Sequence, residues 1–362
     1  MTFKISLPAL TPLLAPALAT ALAGPVMAQT LRPVTLVAGA STLNIAYPND
    51  TLPQTLGYWA EEGLDVEVLT TGGTLQAIQQ LVAGGAQFAE GNVGAFLQGI
   101  ANTQLPLRVL VAYGVTDWQF VVPAGSEIQD AATLEGHRVG MVSLATGGLP
   151  LMRSYLAEAG IDPDSVEVIP VGFGAAPVEA LRNGEVDALL YWGSAVAAFE
   201  NAGLEMETFA PEAWTQRPDY VLGTTRAAYE ADPEAAIGMA RGMARAMLFA
   251  ETNPECALQL QWREYPDSRA QGPDEATSVA WDLNILNAKL DALRMTRALS
   301  DDMFGRVDAP YWEALQAYLV ETAQIPAPVA PEDFLVTEAG FFEAVNDFDH
   351  DAVIAQAMAC DF

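Results

Sequence analysis

The chain contains a version of itself. A first segment, LNIAYPNDTLPQTLGYWAEEGLDVEVLTTGGTLQAIQQLVAGGAQFAEGNVGAF from Leu43, is echoed by a second, HRVGMVSLATGGLPLMRSYLAEAGIDPDSVEVIPVGFGAAPVEALRNGEVDALLYWGSAV from His137. Tyr58, Ala60, Glu61 and Gly63 answer to Tyr155, Ala157, Glu158 and Gly160. Val-Glu-Val stands at 66–68 and again at 166–168, and Leu81 with Gly84 matches Leu181 with Gly184, a constant offset of 100 residues. A duplication of this length sets the fold class before any single element is considered, because each copy must be one folding unit.

Within each copy the pattern reads strand, amphipathic helix, strand, helix, strand. The strands are short Val-rich runs, as parallel strands covered on both faces require. The helices end at glycines, which take the left-handed terminating conformation at little cost. Two such units predict two α/β lobes. Ligands of these sheets bind beyond the carboxyl ends of the strands, which places a site in the cleft between the lobes.

The stretch VLVAYGVTDWQFVVPAGSEIQDAATLEGHRVGMVSLATGG, residues 109–148, joins the copies. Its strands, Val109 to Tyr113 and Trp118 to Val122, flank a polar break at 114–117, and a third begins at Arg138. We expect a first lobe of residues 29–115 plus 220–362, a second of 116–219, and a hinge at 114–119 and 205–220. Pro233 to Glu251, Pro273 to Leu299 and Ala309 to Thr322 carry helical periodicity, giving a helical C-terminal region.

Residues 1–28 read as a cleaved leader: Lys4, an apolar Leu/Ala run broken by prolines, then Val26-Met27-Ala28 before Gln29. An exported, monomeric protein in the periplasm is the expectation. The formal charge is −30, from 46 acids against 16 bases. Such a chain has no basic surface to neutralise phosphates, which excludes nucleic acid as a partner. Its acidity suits a protein that must stay soluble. The two cysteines, Cys256 and Cys360, are expected to pair in an oxidising compartment or to remain as two buried thiols.

Gly91-Asn92-Val93-Gly94-Ala95 with Gln104-Leu105-Pro106-Leu107, Leu134-Glu135-Gly136-His137-Arg138-Val139-Gly140, and Gly184-Glu185-Val186-Asp187-Ala188 with Tyr191-Trp192-Gly193-Ser194-Ala195-Val196 occur in order along the chain. Together they resemble the periplasmic solute-binding proteins of ABC importers, in the NMT1/THI5-like branch that handles taurine, other sulfonates, nitrate and thiamine-pyrimidine precursors. The resemblance covers nearly the whole chain after the leader. It implies a type II-like, two-lobed periplasmic binding fold, a small-molecule solute as ligand, a membrane permease with its ATPase as partners, and no cofactor. Two departures stand out. Ala95-Phe96-Leu97 occupies the place where a proline often follows the glycine turn. Asp117-Trp118-Gln119 stands where taurine-type members tend to carry an acid near position 118.

The resemblance implies ligand contacts from the strand–helix loops, and the duplication selects the same loops. The candidates in the first copy are Tyr47, Thr74 and Asn92. Those in the second are Ser143, Thr146, Gly147, Phe173, Tyr191 and Trp192, with Asp117, Trp118 and Tyr220 at the crossings and Glu90 as a further acid. Tyr191 and Trp192 are consecutive, so only one can face the cleft from a strand. Asn92 is expected first as a helix N-cap. Helices opening near 73, 92 and 146 offer free N–H groups to an anionic head, so an organic sulfonate or other small anion is the leading ligand and a neutral heteroaromatic the alternative. His137 reads as a surface residue, and Asp347–Asp351 as a solvated helix cap, since Ala352 and Met358 stand where a calcium loop needs Gly and Glu.

Pyrimidine synthases share this fold, so catalysis is the competing class. A Schiff-base mechanism needs a desolvated lysine, and Lys289 is the only one beyond the leader. Its place in the C-terminal helices puts it away from the cleft loops, and the expectation is a binding protein without enzymatic activity.

Overall fold

In a computed structural model, residues 1–2, 30–144 and 146–362 are described. The expected leader, apart from its first two residues, lies outside them. Among the described residues no helix is long and apolar enough to cross a membrane.

The chain forms two five-stranded mixed sheets flanked by helices, a two-lobed α/β architecture. The first strand, β1 (Arg32–Ala38), lies ahead of Leu43, where the sequence pattern opens the first copy with a strand; residues 43–47 instead form the loop into α1, because the apolar run there is too short and polar-interrupted to pair. The copy then runs α1 (Pro48–Thr55), α2 (Tyr58–Glu61), β2 (Leu64–Thr70), α3 (Thr74–Val82), β3 (Phe88–Asn92), α4 (Val93–Thr103) and β4 (Leu107–Ala112). A crossing strand, β5 (Trp118–Pro123), opens the second copy: β6 (Arg138–Met141), α5 (Gly148–Glu158), β7 (Glu167–Pro170), α6 (Ala175–Arg182), β8 (Ala188–Trp192), α7 (Gly193–Asn201) and β9 (Met206–Phe209). The return strand is β10 (Tyr220–Thr225). Helices follow: α8 (Arg226–Ala231), α9 (Pro233–Thr252), α10 (Pro254–Glu264), α11 (Glu275–Arg297), α12 (Ala309–Glu321), α13 (Pro331–Phe334), α14 (Phe341–Asn346) and α15 (His350–Ala359).

The sheet orders are β2-β1-β3-β10-β4 and β7-β6-β8-β5-β9. Each copy therefore lends its sheet a parallel set, and each sheet accepts one antiparallel strand from the crossing that leaves the other. β5 inserts between β8 and β9, and β10 between β3 and β4. The register pairs Trp118 with Trp192 and Tyr220 with Asn92. An antiparallel strand starts where its parallel neighbour ends, so the first residues of β5 and β10 join the carboxyl ends of β8 and β3 at the cleft.

The crossings bind each other. The Thr116 amide donates to the Arg217 carbonyl at 2.9 Å, the Asp219 amide to the Gly114 carbonyl at 2.8 Å, and the Tyr113 amide to the Tyr220 carbonyl at 2.9 Å. The return crossing is thus shorter than expected. Residues 206–209 pair with β5 in the second sheet, and 212–216 form a short helical turn carrying buried Trp214. The periodicity of 205–216 was too weak to separate a strand from a connection.

The helices α9, α10, α11 and α15 pack a Met- and Leu-rich core against the first sheet. Cys256 and Cys360 are joined there by a disulfide with Cα atoms 5.8 Å apart. Helix α11 also reaches the second lobe. Asn284 donates to the Ala197 carbonyl at 3.2 Å, to Glu200 at 2.9 Å and to Asn201 at 3.2 Å, and Asn201 returns a bond to the Trp281 carbonyl at 2.8 Å.

Candidate functional site

On the first lobe's side, the loop after β1 begins α1 with Pro48-Asn49-Asp50, and Asn49 and Asp50 are fully buried. Asn49 donates to Asp50 Oδ1 at 2.6 Å and to Glu90 Oε1 at 3.1 Å. Its amide thus bridges two buried carboxyl groups. Burial pushes Asp50 well above the usual carboxylate range, and the neighbouring Glu90 charge adds to the effect. Burial likewise raises Glu90. Like charges this close hold a proton between them.

Around this pair lie Tyr47, Tyr113 and Tyr220. Burial, then Asp50 and Glu90, push the Tyr47 hydroxyl up to about 12. Tyr113 and Tyr220 meet edge to face with centroids 5.6 Å apart. Among the described residues, five buried polar atoms here have no partner in hydrogen-bond geometry: Asn49 Oδ1, Asp50 Oδ2, Glu90 Oε2 and the hydroxyls of Tyr113 and Tyr220. The shared proton and the Tyr113 hydroxyl beside Glu90 account for three of them. Most buried polar groups are satisfied, so Asn49 Oδ1 and the Tyr220 hydroxyl still call for an explanation.

The crossings add two more acids. Asp117 accepts from the Gly193 amide at 3.1 Å, at the first turn of α7. A Cβ on Gly193 would meet Asp117 Oδ2 at 2.7 Å, so glycine is what lets the carboxylate approach. Asp219 is bonded by the Asn92 side chain, and its carbonyl accepts from the Val93 amide at 2.7 Å, at the first turn of α4. Burial, against the opposing charge of Lys289, pushes Asp117 up to about 6. Burial and the Asp117 charge push Asp219 up to about 7.

Lys289 sits among these groups, contrary to the expectation that α11 kept it away. Its ammonium lies 4.9 Å from the Tyr113 ring centroid and 5.1 Å from that of Tyr220. Burial lowers its pKa, opposed by Asp117, Glu90, Asp50 and Asp219. No local pattern in the sequence signals this long-range placement. Helix α11 is brought over the cleft only by its packing between the first lobe's helices and α7. Asp50, Asn49, Asp219 and Tyr113 were also missed; the visible hint was the polar Asn-Asp pair in the loop after the first strand.

The second lobe supplies aromatic surface. Trp118 and Trp192 meet edge to face at 5.4 Å, and Phe173 meets Trp192 at 5.4 Å. Trp118 lies against Gly148, where a Cβ would be 2.5 Å from the indole. This gives Gly148 a reason beyond loop flexibility. Phe173 is 62% exposed. Tyr191 turns the other way: its hydroxyl donates to the Gly172 carbonyl at 2.5 Å and its ring packs at 5.1 Å from Phe199 in the core. Strand alternation decides this, and only Trp192 of the pair faces the aromatic row.

Among the remaining candidates, Thr74 accepts from the Asn92 amide at 3.1 Å. Asn92 occupies the N-cap position of α4, but its side chain turns to Asp219 instead of capping. Ser143, Thr146 and Gly147 lie in the loop before α5, with the Thr146 amide donating to the Ser143 carbonyl at 3.4 Å. His137 is a surface residue 3.6 Å from Asp187. Asp349 caps α15 by accepting from Ala352. A separate concavity of about 410 Å³ lies at Ile100, Gln104, Pro106, Arg226 and Asp333. It carries an Arg226–Asp333 ion pair and none of the orphaned groups.

Comparison with known proteins places this arrangement in context. No curated protein matches the chain. Among solved structures, the chain is similar to the periplasmic aliphatic sulphonate-binding protein SsuA of Escherichia coli, with 15% identity, TM-score 0.63, and coverage of 85% of this chain and 92% of that one. It is similar to the alkanesulfonate-binding SsuA of Xanthomonas axonopodis, solved with MOPS, at 14% identity and TM-score 0.62, covering 84% and 98%. It is also similar to the desulfurization enzyme DszB, solved with biphenyl-2-sulfinic acid, at 15% identity and TM-score 0.56, covering 87% and 99%. At these identities the likeness is one of fold. A family model described as NMT1/THI5 like matches residues 51–257, more than half of the sequence and most of both copies with the two crossings. The chain belongs to the NMT1/THI5-like family.

Proposed function

We propose that this protein is an exported solute-binding component of an ABC importer. It captures a small organic solute between its lobes in the periplasm and presents it to a membrane permease. The observation that carries the reading is the pairing of two unlike surfaces across the crossings. Unpartnered buried polar atoms stand on one side, and the row Trp118, Trp192 and Phe173 on the other. A few convergent polar groups beside aromatic surface is the usual make-up of a small-molecule site. A ring or short alkyl body against the aromatic row and a polar end in the cluster would bridge both lobes. Bridging favours the closed arrangement by population shift, the crossings acting as hinge.

The fold shared with SsuA proteins supports binding over catalysis. The second reading, an enzyme on the same fold, draws on Lys289, which is desolvated and lies in the cleft. A cysteine nucleophile would not be available to it, since Cys256 and Cys360 are joined in a disulfide.

The test is a thermal-shift screen of the mature protein. The panel would hold alkane- and arylsulfonates, taurine, nitrate, aromatic carboxylates, aminopyrimidines and aromatic amines. A solute at 100 times its Kd should stabilise by about 2.7 kcal/mol. The bound compound should then be recovered chemically unchanged. A shift from no compound of any class would count against solute binding, and recovery of an altered compound would favour the enzyme.

A further inference from the structure

Of the three helix starts expected to receive an anion, near 73, 92 and 146, the one at 92 is taken: α4 meets Asp219 through its carbonyl and through Asn92. The start of α7, a further one, meets the carboxylate of Asp117. Asp50 and Glu90 complete a set of four acids. Only Lys289 opposes them, and among the described residues it makes no ion pair, resting over two tyrosine rings. At pH 8, above the values to which Asp117 and Asp219 are raised, and with one proton held between Asp50 and Glu90, three carboxylates remain for one ammonium. The orphaned atoms repeat the message. Asn49 Oδ1 is an acceptor, the single proton shared by Asp50 and Glu90 leaves their oxygens further lone pairs, and neither residue has solvent exposure from which to recruit donors. A site lined this way offers an anion like-charge repulsion, and offers a cation with N–H groups both charge and hydrogen bonds.

We propose that the solute carries a protonated nitrogen with N–H donors, an ammonium or amidinium, which takes the place Lys289 now holds among Asp50, Glu90, Asp117 and Asp219. Lys289 is the chain's own occupant of the seat, and its flexible, half-buried stem lets it withdraw. The tyrosine faces of Tyr113 and Tyr220 that hold its ammonium would hold the solute's nitrogen by the same cation–π attraction. This inference rests on the solute-binding reading and adds to it the sign of the charge.

The experiment is isothermal titration at pH 8 and low salt with probes that share one ring. Benzylamine and benzamidine carry charge and N–H donors, benzyltrimethylammonium carries charge without donors, benzyl alcohol is neutral, and benzenesulfonate is anionic. The expected result is binding of benzylamine or benzamidine in preference to the other three. Lys289→Met should then tighten the amine on the order of tenfold by removing a competing like charge, and Asp117→Asn should weaken it by a similar factor. If Lys289→Met does not fold, Asp117→Asn and Asp219→Asn read the same sign. Binding of benzenesulfonate but not the amines, lost in Lys289→Met, would overturn the assignment and leave solute binding standing. So would a neutral hit from the wider screen that is indifferent to both substitutions. Failure of every compound in both experiments would overturn the solute-binding reading itself.

Discussion

Asp50 is a carboxyl group with no solvent exposure and a second carboxyl beside it. Its proton is what makes its burial tolerable, since an isolated buried charge is far more costly than a neutral polar group. Asp50→Asn replaces that proton by an amide of the same shape. We expect the variant to melt higher than the wild type at pH 8 and to lose that advantage at pH 5, measured by differential scanning calorimetry. The crossings titrate nearer neutrality. Asp117 and Asp219, raised to about 6 and about 7, face each other, Lys289 and the amide of Gly193. An unfolded aspartate titrates near 3.9. Between about pH 4 and pH 7 the folded chain therefore holds protons that the unfolded chain has released, and stability falls as pH rises through that window. Tm should be higher at pH 5 than at pH 8, with the slope reduced in Asp117→Asn. At this scale the sequence was only partly legible. Asp117, Glu90 and Trp118 could be singled out because they adjoin motifs. Asn92 could be read as a cap position, but not that its side chain would serve Asp219 instead, because that partner is 127 positions away.

Elements were more readable, because their periodicity is local. The strand–helix alternation of both copies, the glycines that end helices, and the long helices after 233 are present where the patterns put them, except that the strand expected from Leu43 lies earlier, at Arg32–Ala38. Strand alternation also required that Tyr191 and Trp192 part company, though not which would face inward. What the patterns could not show is the exchange of antiparallel strands. β5 and β10 have the composition of any edge or core strand, and their insertion is decided by which neighbours remain unpaired. The same packing explains two glycines. Gly148 gives the Trp118 indole room against the first turn of α5, and Gly193 admits Asp117 to the first turn of α7. Gly148→Ala should cost roughly 1–3 kcal/mol as an overpacked site, and should shift Trp118 emission. Weaker binding of ring-bearing solutes, measured by titration, should accompany it.

Across the whole molecule, the disulfide and the cleft answer to different parts of the fold. Cys256 and Cys360 close a loop between residues 104 apart within the helical core against the first sheet. The chain-entropy model gives such a closure about 4–5 kcal/mol. Reduction should lower Tm sharply while leaving solute affinity, titrated well below Tm, unchanged, since neither sulfur reaches the cleft. The two-lobed α/β class was determined by sequence alone. A duplication with a fixed offset, read with the 2.0 and 3.6 periodicities, leaves few other ways to bury two apolar sheets. The charge of the cleft was not determined that way. It depends on Asp50, Glu90, Asp117, Asp219 and Lys289 meeting from five separate segments, and on burial shifting their proton affinities. Both follow from how α11 and the two crossings pack, which no local pattern encodes.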